Sequence, residues 1–259
     1  MTETVTSADG TTIAYDRVGS GPALIVLGGA MNTRRSAAGL AALLEQRLTV
    51  YTVDRRGRGD SGNTPPWSVE REVDDIAALL AIAGEGAGIY GHSSGGILAL
   101  EVAAAGHPVG RIAAYEPPFT ASDEAPEPHT AVDAIEAALA SDNRDAAVRT
   151  FMATTGMPPE AIDGMAQSPW WGGLLAVAHT LPYDLGLANS GVVPAARYTA
   201  IAVPTLVLDG GDSAPWAARA GARVASVVRG ATRMTIAGQH HGVDDAAVAP
   251  TLAGFFARS

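Results

Sequence analysis

Short runs of consecutive apolar residues alternate along this chain with longer segments that have the apolar spacing of helices. The clearest run lies at residues 23–27, and residues 204–208 form a similar strand-like segment that contains one threonine. A short segment that is apolar throughout is typical of a strand buried on both faces of a parallel sheet, and parallel strands need long, usually helical, connections. The alternation therefore predicts an α/β fold: a mostly parallel sheet with helices on both faces.

The same patterns give a full set of expected elements, with about eight strands. Strands are predicted near residues 3–7, 12–17, 23–27, 48–53, 86–90, 111–115, 204–208 and 233–237. Helices are predicted over residues 36–46, 69–83, 95–105, 214–227 and 244–256. Asp9 and Gly10, between the first two strands, are a dipeptide typical of a hairpin turn.

The interval 117–202 interrupts this alternation. Helical apolar spacing recurs over residues 133–139, 144–155, 159–167 and 171–180, with Pro and Gly between them. Such an interval is too long for a single crossover between neighbouring strands. We therefore expect a core formed by residues 1–116 and 203–259, with a helical lid inserted at residues 117–202.

Charge and polarity limit the partners of this chain of 259 residues. Its net charge is −10, whereas nucleic acids and anionic membrane surfaces bind basic patches. The N-terminus is polar and acidic, unlike a signal or transit peptide, and no apolar run reaches the ~18 residues of a membrane span. We expect a cytoplasmic protein that acts on a small-molecule substrate, with no nucleic-acid partner and no membrane insertion.

The residue types that are absent exclude several chemistries. Without cysteine there are no disulfides and no thiolate nucleophile, and without lysine there is no Schiff base. His240 and His241 are adjacent, but neighbouring side chains diverge and no carboxylate ligand has the spacing of a metal site with them. We therefore expect no metal and no cofactor.

The segment Tyr90–Gly96 reads Tyr-Gly-His-Ser-Ser-Gly-Gly and joins a predicted strand to a predicted helix. It contains Gly-x-Ser-x-Gly in the one context where that pattern forms a sharp strand-to-helix turn. Small residues at 91 and 95 permit the turn, and the N-terminus of the helix directs its N–H groups and positive dipole end to the same place. The pattern predicts Ser93 as a nucleophile.

Acyl transfer needs two further kinds of group near such a serine. Backbone N–H donors must stabilise the oxyanion, and the expected pair is the amide of Ser94 with that of Ala30, in the Gly-Gly-Ala segment after the third strand. A neutral imidazole must accept the serine proton, and His240 and His241 follow the last strand.

These segments, in this order, resemble the α/β-hydrolase superfamily over essentially the whole chain, in particular its lid-bearing esterase-like and haloperoxidase-like members with a serine nucleophile. Residues 53–61 are similar to the family's Asp-x-Arg-Gly-x-Gly-x-Ser segment. Residues 238–241 resemble the segment that ends in the catalytic histidine, which implies His241 rather than His240. Residues 204–212 resemble the acid-bearing strand and loop, which implies Asp212 as the third triad residue.

Two other carboxylates compete with Asp212 for the acid position. Asp212 stands two residues after Gly210, one fewer than the family spacing. Asp209 belongs to the same strand, and Glu116 follows the strand at 111–115, a position that some family members use for the acid. All three lie where a predicted strand ends at the catalytic edge of the sheet.

The predicted lid and the fourth strand add side chains whose roles are open. The candidate residues of the substrate pocket are Trp170, Trp171 and His179, which either line an apolar acyl or ring pocket or pack the lid onto the core. Arg55, Arg56 and Arg58 follow the fourth strand. Local salt bridges are the favoured role for these arginines, and binding of a substrate carboxylate is the alternative.

The residues and the resemblance together favour hydrolysis of a small ester, lactone or thioester through an acyl-enzyme on Ser93. The same triad can also serve a carbon–carbon bond hydrolase, a cofactor-free haloperoxidase or a lyase, and the fold does not distinguish these reactions. A protein of another class, which binds a small ligand on this fold without catalysis, is compatible with the short acid loop.

Overall fold

The computed structural model describes residues 2–121 and 130–257 of the chain. Its strands are β1 (Thr2–Thr6), β2 (Thr12–Gly19), β3 (Ala23–Leu27), β4 (Thr49–Val53), β5 (Gly88–His92), β6 (Ile112–Tyr115), β7 (Thr205–Gly210) and β8 (Thr232–Ile236). They form one eight-stranded sheet in the order β1-β2-β4-β3-β5-β6-β7-β8. The pairs β1–β2 and β2–β4 are antiparallel and the others are parallel, so the predicted mostly parallel sheet is confirmed.

The helices also follow the predicted order. They are α1 (Ala38–Leu44), α2 (Val69–Ala83), α3 (Ser94–Ala104), α4 (Thr130–Ala140), α5 (Arg144–Thr154), α6 (Pro159–Ala166), α7 (Trp171–Val177), α8 (Leu181–Leu187), α9 (Ala195–Tyr198), α10 (Pro215–Val227) and α11 (Asp245–Phe256). Helices α4 to α9, here called the inserted helices, lie between β6 and β7. The described part of the interval 117–202 contains no strand, and residues 122–129 of that interval lie outside the described residues.

The sheet is buried on both faces because alternate residues of its central strands point to opposite sides. In β3, Leu24 and Val26 pack into a cluster with α1 and α11, whereas Ile25 and Leu27 pack into the cluster that contains α2, α3 and α10. This double burial explains why β3 and β6 are apolar throughout. It also fixes the carboxyl ends of β3, β5, β6 and β7 relative to one another, at the edge from which the functional loops leave the sheet.

The interval between β6 and β7 packs in two parts. Ile135 and Leu181 belong to a separate apolar cluster of the inserted helices, against which Ala30 and Met31 of the loop after β3 also pack. Leu187 and Tyr198, further along, belong instead to the main core cluster. The inserted helices are therefore joined to the core by their C-terminal part. None of the helices in the described residues combines the length and the apolar character of a membrane span.

Two neighbouring leucines of α1 test the double burial of the sheet. Leu44 is 1% exposed and Leu43 is 51% exposed. We expect Leu44→Ala to lower the free energy of unfolding by about 2–5 kcal/mol, because it leaves a cavity under the sheet. Leu43→Ala, the matched control, is expected to change it by about 0.5 kcal/mol or less. Urea unfolding followed by circular dichroism measures both, and equal effects would contradict the described packing of α1.

Candidate active site

The turn between β5 and α3 holds Ser93 in an unusual conformation. Its φ is 56° and its ψ is −126°, in a region that L-residues with a side chain rarely occupy. A Cβ at Gly91 would clash with the main chain of Gly95, and a Cβ at Gly95 would clash with the carbonyl of Leu27. The Ser93 N–H donates a hydrogen bond to the carbonyl of Tyr115 at 2.9 Å. The glycines predicted to permit a sharp turn are therefore required by close main-chain contacts.

His241 joins Ser93 to a carboxylate. Its Nε2 lies 3.1 Å from Ser93 Oγ, and its Nδ1 lies 2.8 Å from Glu116 Oε2. A carboxylate accepts hydrogen bonds, so Nδ1 carries the proton and the neutral ring accepts the Ser93 hydroxyl proton at Nε2. The arrangement is a continuous serine–histidine–glutamate chain of hydrogen bonds.

Glu116 is fully buried, at a backbone φ of 44° directly after β6. Besides His241, the Gly210 N–H donates to its Oε1 at 2.7 Å and the Ser213 hydroxyl donates to the same atom at 2.5 Å. Burial raises the pKa of Glu116, but the hydrogen bonds from His241, Ser213 and Gly210 outweigh it and lower the pKa below its ordinary value. The carboxyl group is therefore ionised at neutral pH.

Asp212 does not occupy the position beside His241 that the resemblance implied, because Glu116 is hydrogen-bonded to His241 there. The short loop after β7 is tied to the histidine loop through its backbone: the Asp212 N–H donates to the Gln239 carbonyl at 2.9 Å, and the Asp212 carbonyl lies 3.0 Å from His240 Nδ1. Asp212 itself is exposed. Glu116, at the end of the neighbouring strand, occupies the position that Asp212 was expected to fill.

Asp209, the other alternative acid, is also directed elsewhere. It is a buried residue within β7, and its carboxylate accepts hydrogen bonds from Arg233 at 2.7 and 2.9 Å. Thr235 on the adjacent strand β8 donates to it as well. Its partners thus belong to the neighbouring strand and not to the histidine loop.

Two side chains from the sheet hold the histidine loop. The hydroxyl of Tyr115 donates to the carbonyl of His240 at 2.7 Å, and His92 Nε2 donates to the carbonyl of His241 at 2.6 Å. The His92 and His241 rings lie 4.9 Å apart between centroids. His92, the residue before the serine, therefore acts in this structure as a support for the backbone of the histidine loop.

The two segments predicted to stabilise an oxyanion flank Ser93. A Cβ at Gly29 would lie 2.8 Å from the Ser93 Cβ, so the loop after β3 passes directly beside the serine. Ala30 follows in that loop. Ser94 is the first residue of α3, and the first N–H groups of a helix have no partner within it. The oxyanion role of Ala30 and Ser94 stays a prediction that this placement makes possible.

The predicted pocket residues differ in their surroundings, and their binding role stays a prediction. Trp171 is buried among the inserted helices, where its Nε1 donates to Asp145 at 3.0 Å, and Trp170 is 53% exposed. His179 is half-buried, and its Nδ1 has no hydrogen-bond partner within the described chain.

Trp216 was not singled out from the sequence, yet its ring packs edge-on with that of His241, with 5.6 Å between the ring centroids. Its position at the start of α10, the helix that follows β7, was the sequence signal that could have identified it.

The three arginines after β4 are buried in ion pairs. Arg56 binds Asp75, whereas Arg55 and Arg58 both bind Asp184 of α8. The predicted salt bridges are confirmed, although Asp184 is far away in sequence. These buried guanidinium groups are already paired with carboxylates of the chain.

Among the described residues, no three histidine or carboxylate side chains are grouped so that they could hold a metal ion.

The burial of His92 predicts a specific dependence of stability on pH. Burial, and then the proximity of His241, lower the pKa of His92 from 6.5 to about 4. The unfolded chain therefore binds a proton more readily, and the stability contributed by neutral His92 is complete above pH ~6.5 and is lost as the pH falls toward 4. Between pH 7.5 and 4.5 we expect His92→Gln to lose about 2 kcal/mol less unfolding free energy than the unsubstituted protein. Urea titrations at both pH values measure this, and parallel losses would contradict a neutral buried His92.

Known proteins resemble this chain in sequence and in fold. A model of the alpha/beta hydrolase family matches residues 24–251. An alpha/beta hydrolase from Sphaerobacter thermophilus is 44% identical, with 98% of this chain and 100% of that chain covered and a TM-score of 0.92. The fold is shared with an esterase from a Rhodococcus species (24% identity, 98% of each chain, TM-score 0.76) and an enol-lactonase from Burkholderia xenovorans (16% identity, 97% of this chain and 96% of that chain, TM-score 0.70). The chain belongs to the α/β-hydrolase family.

Proposed function

We propose that this protein is a serine hydrolase that cleaves a small ester, lactone or thioester through an acyl-enzyme on Ser93. The observation that carries the proposal is the unbroken hydrogen-bond chain from Ser93 through His241 to Glu116. A serine hydroxyl is a weak nucleophile until a positioned base accepts its proton. The hydrogen bonds that join His241 to Ser93 and to Glu116 support this role for the histidine.

Each group has one role in the proposed reaction. Ser93 Oγ attacks the substrate carbonyl carbon while its proton passes to His241 Nε2, and Glu116 stabilises the imidazolium that forms. The electron pair of the carbonyl moves to its oxygen, where the N–H groups of Ala30 and Ser94 stabilise the negative charge. Collapse of this intermediate expels the leaving group, which takes the proton from His241, and water then releases the acyl group by the reverse sequence.

An apolar acyl group or ring fits the surroundings of the serine best. Ala30 and Met31, in the loop beside Ser93, pack against the apolar cluster of the inserted helices. The Trp216 ring packs in a T-shaped arrangement with the ring of His241. These surfaces favour a substrate with an apolar acyl portion, and the inserted helices act as its lid. The alternative of a protein that binds a small ligand without catalysis was compatible with the short loop after β7. In the proposed function Glu116 supplies the acid from the end of β6, so the length of that loop does not argue against catalysis.

Removal of the nucleophile is the first test. We expect Ser93→Ala to lower kcat on p-nitrophenyl esters by at least ~10³-fold, the scale on which triad residues act. A fluorophosphonate should label the unsubstituted protein once, at Ser93, and should leave Ser93→Ala unlabelled, as read by peptide mass spectrometry. Labelling of another serine, or retention of more than about a tenth of kcat, would refute the nucleophile.

The identity of the acid is tested by two near-isosteric substitutions. Glu116→Gln removes the charge that orients His241 and stabilises its protonated form, so kcat should fall by ~10³- to 10⁴-fold. Asp212→Asn, the matched control on an exposed residue, should keep kcat within about twofold, as surface substitutions change free energies by about 0.5 kcal/mol or less. Steady-state kinetics on one aryl ester decides between them. A larger loss for Asp212→Asn would return the acid role to the loop after β7.

A further inference from the structure

Four charged side chains are buried together behind the nucleophile turn: Arg55, Arg58, Glu72 and Asp184, here called the buried charge cluster. Each side chain is at most 2% exposed. Asp184 accepts hydrogen bonds from Arg55 at 2.8 Å and from Arg58 at 2.7 Å, and Glu72 accepts two from Arg55 at 2.7 and 2.9 Å. Burial raises the pKa of Asp184, but Arg58 and Arg55 outweigh it and lower the pKa. The cluster therefore pairs two guanidinium groups with two carboxyl groups.

Arg58 extends this cluster to the loop beside Ser93. Its guanidinium donates a hydrogen bond of 2.6 Å to the carbonyl of Gly29, a length typical of a charge-assisted bond. That carbonyl and the N–H of Ala30 belong to one planar trans peptide, so they point in opposite directions. Fixing the carbonyl on Arg58 therefore fixes the direction of the Ala30 N–H. The positive charge of the guanidinium, bonded to this carbonyl, also polarises the peptide. This strengthens the Ala30 N–H as a hydrogen-bond donor.

Asp184 extends the cluster to the other side of Ser93. The Ser94 hydroxyl donates to Asp184 at 2.6 Å, and Arg55 donates to the same hydroxyl at 3.1 Å. The Ser94 N–H is the second proposed oxyanion donor. Arg58 and Asp184 are bonded to each other, so one buried ion pair contacts both the peptide that carries the Ala30 N–H and the side chain of Ser94.

Stability alone does not explain a buried ion pair in this position. Burial of two charges is costly, and apolar residues of similar volume often give equal or greater stability. Arg56 provides the comparison within the same segment: it is equally buried and bound to Asp75 by two hydrogen bonds, but its other partners are Asp9 and the carbonyl of Arg71. What distinguishes Arg58 is its contact with the peptide beside the nucleophile.

We propose that Arg58 and Asp184 are positioning residues for the oxyanion hole: Arg58 orients and polarises the Gly29–Ala30 peptide, and Asp184 holds Ser94. This inference rests on the proposed serine hydrolase function. When the bond from Ser93 Oγ to the substrate carbon forms, the carbonyl electron pair moves to the oxygen and the serine proton moves to His241. Arg58 and Asp184 exchange no proton or electron. They keep the two N–H groups aligned with the oxygen as its charge develops, which avoids reorganisation in the transition state.

The inserted helices contribute one residue of the ion pair, Asp184, and therefore take part in the proposed positioning of the oxyanion amides. Asp184 lies on α8, and Thr180, which precedes α8, is 3.2 Å from the Nε of Arg58. Arg55 and Arg58 come from the core segment after β4. The peptides that carry the proposed oxyanion donors are therefore supported by an ion-pair contact between the inserted helices and the core.

Three variants test the proposal. Arg58→Lys keeps a positive charge. It loses the branched guanidinium group, which donates hydrogen bonds to Asp184, Thr180 and the Gly29 carbonyl at the same time. Ser94→Ala removes only the hydroxyl that Asp184 holds and keeps the N–H. Arg56→Lys is the control, a buried arginine of the same segment without contact to the loop. For each we measure kcat and KM on an aryl ester, the Ki of a trifluoromethyl ketone, which forms a tetrahedral adduct with the serine, and the Ki of the matching carbinol, which cannot.

We expect Arg58→Lys to lower kcat and to weaken the ketone by about 10- to 100-fold, because small misplacements of catalytic groups act on this scale. Ser94→Ala should lower both by about 3- to 10-fold, because it releases only one side of the device. KM and the carbinol Ki should change little. Arg56→Lys should leave the ratio of ketone Ki to carbinol Ki within about twofold, even where its melting temperature falls.

The outcomes separate this inference from the proposed function. If the unsubstituted protein shows no Ser93-dependent ester hydrolysis, the proposed function fails and this inference fails with it. If the unsubstituted protein is active but Arg58→Lys and Ser94→Ala keep the ketone-to-carbinol ratio, or change it no more than Arg56→Lys, the positioning role alone is refuted. Ser94→Ala, a small change that removes no charge, decides the question if Arg58→Lys does not fold.

Discussion

The site depends most on the close approach of three main-chain segments around Ser93. Gly95 at the start of α3 lies against the carbonyl of Leu27 in β3, and Gly91 in β5 lies against Gly95, so that neither position has room for a Cβ. These contacts impose the left-handed conformation of Ser93, which a serine adopts only where its surroundings over-determine it. The apolar burial of the sheet on both faces supplies the free energy that offsets this strain.

The other groups of the candidate site are positioned by bonds between loops more than by the hydrogen bonds among Ser93, His241 and Glu116. Tyr115 and His92 hold the carbonyls of the histidine loop, and the Gly210 N–H holds Glu116. Each of these bonds joins the end of one strand to the loop of another. A triad hydrogen bond has a net worth of only about 1–3 kcal/mol even with a charged partner, so alignment comes from this set of supports. The strained backbone of Glu116 is tolerated for the same reason.

Local patterns were enough to predict the sheet and to identify Ser93 as a candidate, because strand burial and the glycines of the turn leave direct traces in sequence. The family resemblance selected His241, and the structure brings these two residues together. Neither the patterns nor the resemblance identified the carboxylate that lies beside His241. Asp212 and Glu116 both end strands at the same edge, and the choice depends on which way a short loop turns its side chain. In this structure the backbone bonds between Asp212 and the histidine loop leave its side chain exposed. The partner of Arg58 could not be predicted either, since Asp184 lies 126 residues further along the chain, within the inserted helices.

The charge cluster changes how the inserted helices relate to the chemistry. A lid that only shaped the pocket could pack on the core through apolar contacts, as Leu187 and Tyr198 do. Asp184 instead places a carboxylate from α8 beneath the core residues that flank the nucleophile, where loss of one partner leaves an uncompensated buried charge. In the proposed mechanism, the position of α8 and the alignment of the Ala30 and Ser94 amides are therefore linked through one ion pair. Substrate selection by the helices and transition-state stabilisation by the core, both parts of the proposal, would then share a structural support.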